Sequence, residues 1–196
     1  MLAVAGCGGS GNEQQQRLLV TDDLIGIVPM PETPDGANYN ADDHSATLTL
    51  ADFRQRAQTS EDKALATALG KAGLRQIYQR TFVGALNQAD ASLFLFRKPE
   101  GAGTAFGLLK TSLQKPGSIA QKVTTADSQG LGVESWAAHL TGAGTDAGLV
   151  LWRNGNLVGV TDMSCDDACD FDAVGSARAY AAVIDDLVNQ SAATQR

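Results

Sequence analysis

Asn154-Gly155 stands between two apolar runs, Leu149-Val-Leu-Trp152 and Leu157-Val-Gly-Val160, and this narrows the folds open to the chain more than any other feature. Asn-Gly is the preferred pair for a type I′ turn, because both central residues must tolerate positive φ. Two strands joined by so short a turn are antiparallel, so the chain contains an antiparallel sheet.

The rest of the chain supplies partners for that hairpin. Leu74 to Val83 reads as a strand and Ala91 to Arg97 as its neighbour, with Gly84, Asn87 and Asp90 in the linker between them. Ile119 to Thr125 reads as a further strand and Val133 to Leu140 as another, weaker one. Helices alternate with them. Residues 47–57 form a short helix capped by Thr49 or Asp52. Ser60 is the N-cap of the next, Glu61 and Asp62 lie in its first turn, and Gly73 closes it. Pro99 opens another, which keeps the helical period through Ala102, Ala105, Phe106, Leu109 and Leu113 and stops at Pro116-Gly117. Asp172 caps a last helix to about Asn189, buried along Val174, Ala177, Ala181, Ile184, Leu187 and Val188, with Arg178 and Asp185 outside that stripe. These elements predict an α+β fold, a two-layer sandwich of a mainly antiparallel sheet with helices packed on one face.

Composition limits the function. The apolar fraction of 43% supports a sizeable core in a chain of 196 residues, one domain's worth. A net charge of −7 argues against a nucleic-acid binder, and against docking on anionic lipid through the protein surface. No stretch approaches the roughly 20 apolar residues of a spanning helix.

The chain opens Met-Leu-Ala-Val-Ala-Gly-Cys7, and Val4-Ala5-Gly6-Cys7 looks like a bacterial lipobox, in which the cysteine is acylated. Residues 1–6 are then the remnant of an export signal that lacks its basic start. Residues 7–16, rich in Gly, Ser, Gln and Asn, form a flexible tether, and 17–196 form the single domain. Within it, Leu18-Leu19-Val20 and Asp22-Asp23-Leu24-Ile25 read as a docking segment, and Pro29, Pro31, Pro34 and Gly36 as a surface loop. Setting Cys7 aside leaves Cys165 and Cys169. Their spacing is neither that of a thioredoxin-like redox pair nor sufficient for a zinc site. Outside the cytosol it reads as a small structural disulfide that pins a turn. The alternative is a cytosolic protein with a Gly-rich start and ordinary thiols.

With the lipobox and tether, Asp22-Asp-Leu-Ile-Gly26, Leu69-Gly-Lys-Ala-Gly73-Leu-Arg-Gln-Ile-Tyr78, Trp152-Arg-Asn-Gly-Asn156 and the Ala-rich final helix, the chain resembles the small secreted lipoproteins of high-GC Gram-positive bacteria, a largely uncharacterised group. The resemblance implies an extracytoplasmic, lipid-anchored address and an architecture. It carries over no catalytic residues.

A search for chemistry returns candidates without a signature. There is no G-x-S-x-G elbow, phosphate loop or H-E-x-x-H. His44 sits in a polar loop beside Asp42 and Asp43, and His139 near a strand end; a hydrolase would need one of them to meet a carboxylate and a Ser or Thr. Asp162, Asp166, Asp167 and Asp170, with Asp172, surround the cysteine pair, but lack the spacing of a calcium loop, and Asp172 is better placed as a helix cap. Trp136, Trp152, Phe94, Phe96 and Phe106 either line an apolar cavity or make up ordinary core. No cofactor is implied. The reading is a membrane-anchored, non-enzymatic binding or interaction domain with a protein or small-molecule partner. A carrier of lipid or a small apolar ligand is the alternative, and a hydrolase the third possibility.

Overall fold

The computed structural model describes residues 18–24, 26–31, 44–84, 87–115, 122–128, 130–142, 144–166 and 168–193. Cys7, the segments 1–6 and 7–16, most of the 26–45 loop and Asp167 lie outside the described residues. In chain order the elements are β1 (Ala46–Leu48), α1 (Leu50–Arg56), α2 (Ser60–Lys71), β2 (Leu74–Val83), β3 (Asn87–Phe96), α3 (Pro99–Leu113), β4 (Lys122–Ala126), β5 (Glu134–Gly142), β6 (Thr145–Asn154), β7 (Leu157–Asp166) and α4 (Ala173–Ala193). Among the described residues no helix is long and apolar enough to cross a membrane.

Side-chain caps start three of the four α-helices among the described residues. Thr49 caps α1 in a reciprocal box with Asp52, so both candidate residues take part. The α2 box belongs to Thr59 and Asp62, one residue before the expected cap at Ser60. The Asp52 and Asp62 carboxyls are held below the usual carboxylate range by these bonds to Thr49 and Thr59. Asp172 caps α4 as the sequence predicts, accepting the Gly175 amide at 3.0 Å.

All seven strands form one antiparallel sheet in the order β1-β2-β3-β7-β6-β5-β4. The β6–β7 hairpin is present with its turn moved by one residue. Asn154 pairs with Leu157, which leaves Gly155 and Asn156 in the loop, with Gly155 at φ +54°. Burial sets that register. Val150, Trp152 and Leu157 face one core, and on the same side Asn154 reaches Asp185 and Asn189 on α4 through its amide. β3 starts at Asn87 rather than Ala91, because Asn87, Gln88 and Asp90 pair with β7 instead of turning.

The expected α+β class and antiparallel sheet are both present. The helices, however, lie on both faces rather than one. α4 and the buried side chains of the N-terminal strap (Leu19, Leu24, Ile27 and Val28) pack on Phe82, Ala91, Leu93, Val150 and Trp152. On the opposite face Leu69 of α2 and Ala102, Ala105, Phe106 and Leu109 of α3 pack on Ile77, Phe94, Phe96, Leu149, Leu151 and Val158. Four buried residues in succession, Leu93 to Phe96 and again Leu149 to Trp152, are what strands covered on both sides require. Gly148 allows α4 its close seat. A Cβ there would lie 2.1 Å from the Ala173 carbonyl oxygen.

The strap is fixed by polar contacts as well as apolar ones. Asn156 Oδ1 accepts the Leu19 amide at 2.9 Å, and its Nδ2 donates to the Leu19 and Phe96 carbonyls at 3.1 and 2.8 Å. Arg80 donates to the Val28 carbonyl, and the Tyr180 hydroxyl to that of Pro29 at 2.9 Å. Asp185, expected outside the α4 stripe, is buried. It accepts the Gly132 amide at 3.1 Å and Asn154 Nδ2 at 2.8 Å.

Candidate functional site

Strand pairing brings Asp90 of β3 directly opposite Asp162 of β7, near the middle of the sheet. Directly opposed residues place their Cβ atoms about 4.5–5.5 Å apart, where like charges oppose each other. Alternation along β3 and β7 puts both carboxylates on the face that carries α1, α2 and α3, toward the end of the sheet away from the Gly155 turn. Gln79 and Thr81 of β2, Gln88 and Ser92 of β3 and Ser164 of β7 share that side. The patch is a polar, partly covered floor beside an apolar core.

The two carboxylates are treated differently. Asp90 accepts from the Thr81 hydroxyl and from the Gln88 amide. Asp162 is partly buried, and among the described residues no donor reaches it. Burial pushes its carboxyl up to about 8, and the Asp90 charge adds to the rise. One carboxyl of the pair therefore holds a proton at neutral pH. A carboxyl perturbed by burial and a facing charge in a partly closed polar patch is a functional-site candidate. What it can do chemically is receive a cation or a hydrogen-bond donor, either of which would supply what Asp162 lacks.

Asp162 is thus the one weak metal candidate in a notable setting, although it has separated from its companions. Asp166 lies four residues further along β7, Asp170 is exposed in the loop after it, and Asp172 is used by α4. Among the described residues no three His, Cys, Asp or Glu side chains come together as metal ligands.

A second polar cluster surrounds the cysteine pair. Cys165 and Cys169 are bonded, with Cα atoms 5.3 Å apart. Asp146 Oδ2 accepts the Cys169 amide at 3.0 Å and its Oδ1 meets His139 Nε2 at 2.5 Å. The hydrogen bond to His139, and then that to Cys169, hold the Asp146 carboxyl below its ordinary range. His139 has therefore met a carboxylate. No Ser or Thr hydroxyl bonds to it among the described residues, and the other Asp146 oxygen is occupied, so the cluster ties the β5–β6 hairpin to the disulfide loop. His44 is exposed just before β1, away from this cluster.

The five aromatics do not line one space. Trp152 belongs to the α4 core, while Trp136, Phe94, Phe96 and Phe106 belong to the core on the other face.

Sequence reasoning missed Asp90, which it placed in a turn. The local signal, an acidic residue amid polar ones before an apolar run, reads the same in a turn and in a half-open strand. Only the β3–β7 register distinguishes the two.

No protein-family model matches the chain, and no curated protein matches it either. Among solved structures it is similar to the extracellular domain of PknH from Mycobacterium tuberculosis, with 16% sequence identity and a TM-score of 0.43, over 88% of this chain and 93% of that one.

Proposed function

We propose that this chain is an extracytoplasmic binding domain, held at the membrane through a lipid on Cys7, that receives a positively charged group of a partner or ligand over Asp90 and Asp162. The observation that carries the reading is the facing pair of carboxylates, one of them without a donor. An uncompensated carboxylate inside a sheet costs stability, and a bound cation removes that cost. Flanking hydroxyls and amides from Thr81, Gln79, Ser92 and Ser164 suit an ammonium or guanidinium head better than a bare metal ion. A protein that keeps a Cys165–Cys169 bond belongs where disulfides persist, which supports the compartment.

The binding half is tested by titrating the 15N-labelled chain with spermidine at pH 7 and following backbone amide shifts. The reading expects changes at Thr81, Asp90 and Asp162, with affinity at least tenfold weaker in the Asp90→Asn/Asp162→Asn variant. Shifts confined to other surfaces, or unchanged in the variant, contradict it. Native mass spectrometry of protein from its own host discriminates the alternative, since a retained lipid or other apolar molecule points to a carrier. The anchor is tested separately by radiolabelled fatty acid, which must enter the native chain and fail to enter Cys7→Ser.

A further inference from the structure

The net charge of −7 conceals a basic corner. The α2–β2 connection carries Lys71 and Arg75, and the β3–α3 connection carries Arg97 and Lys98, all exposed. The two connections are joined, because the Arg97 amide donates to the Gly73 carbonyl at 3.1 Å. Arg54 of α1, also exposed, lies beside Gly70, where a Cβ would come 3.1 Å from its guanidinium. Among the described residues none of the five enters an ion pair. Glu100 is the one carboxylate in the two connections. Exposed Asp22 lies on the strap, and Glu134 is taken up by Arg153 at 3.2 Å.

The strap enters the fold at this same corner. Phe96, next to Arg97, gives its amide to the Asn156 carbonyl, and the Asn156 side chain holds Leu19. Eleven peptide steps separate Leu19's neighbour Leu18 from Cys7, which span at most about 36–40 Å. We infer that this corner, Arg54, Lys71, Arg75, Arg97 and Lys98, docks on the anionic phospholipid surface to which the tether leads. The inference rests on the lipid anchor proposed above. An anchored domain is already within reach of the bilayer, and its cations act within a Debye length of about 10 Å, where local charge matters and total charge does not. Docking in this way also orients the domain. Asp162 lies six residues along β7 from Asn156, roughly 20 Å toward the opposite end of the strands, so the carboxylate pair is presented away from the membrane.

The test uses the full chain as Cys7→Ser, which cannot be acylated, with vesicles of phosphatidylglycerol and phosphatidylcholine or of phosphatidylcholine alone. Co-sedimentation is expected with the anionic vesicles at low salt, and its loss at 0.5 M salt, consistent with screening. Arg75→Glu/Arg97→Glu/Lys98→Glu, shown to be folded by circular dichroism, is expected to bind more than roughly tenfold more weakly. Lys122→Glu, on the far edge strand, should bind like the parent. Equal binding to both vesicle types, or a folded triple variant that binds as well as the parent, overturns the inference. Fatty-acid labelling of Cys7 reports on the anchor alone, so the two claims fail separately.

Discussion

Two polar groups of side chains sit on this sheet, one at the β6–β7 turn and one midway along β7, and they are satisfied to different degrees. At the hairpin end Asn154, Asn156 and Asp185 are buried, and their side chains bond the strap, Phe96, the Gly132 amide and α4. Midway along the strand Asp90 is bonded to Thr81 and Gln88, while among the described residues no donor reaches Asp162 opposite it. The contrast separates polarity that holds the fold together from polarity left open.

Substitutions in the two groups should therefore move stability in opposite directions. Asn156→Ala removes three hydrogen bonds and leaves the Leu19 and Phe96 groups buried, at a cost of about 3 kcal/mol. Urea unfolding should show that loss, and hydrogen exchange should show the strap opening first. Asp162→Asn is expected to stabilise instead. The folded carboxyl titrates higher than the unfolded one, so the native state loses stability as pH rises from about 4 to 8, and the variant escapes that loss. Its gain should be absent near pH 4, grow as pH rises through this window and level off above pH 8. A gain that does not depend on pH would erase the contrast between the two groups.

Smaller effects sharpen it. Cys165→Ala/Cys169→Ala should cost on the order of 2 kcal/mol in thermal unfolding, because the loop is short. Asp146 contributes stability that is present above its unfolded value and lost as pH falls through its depressed folded one, so Asp146→Asn should cost more at pH 7 than in acid. Thr59→Ala should cost about 1 kcal/mol through the α2 cap. Spermidine binding should tighten between pH 6 and 8, as the proton competing for Asp162 is lost.

The sequence carried the elements whose signals are local. β2, α3 and the β6–β7 hairpin follow from apolar period, Pro99 and the Asn-Gly pair. It did not carry β1, three residues paired with β2 through which only Leu48 enters the core, nor the start of β3, whose polar residues mimic a turn. The two-faced layering was written in the unbroken runs Leu93–Phe96 and Leu149–Trp152, which look like any strong strand until the helices are counted onto both sides. Asp185 sits four residues after Ala181 and three before Val188, on the edge of the α4 stripe, and only its partners Asn154 and Gly132 explain its burial. The candidate site was the least legible. Asp162 was singled out for its neighbours in sequence, Asp166, Asp167 and Asp170. The residue that perturbs it, Asp90, lies on a strand formed much earlier in the chain.

The binding proposal stands on Asp162 facing Asp90 with no donor reaching it among the described residues, an arrangement that raises its carboxyl to about 8. Following the side-chain carboxyl 13C shifts of Asp90 and Asp162 from pH 3 to pH 10 tests it directly. The account predicts an Asp162 midpoint near 8 that falls when Asp90→Asn removes the facing charge and falls again when spermidine is added. A midpoint near 4, unmoved by either change, would contradict it.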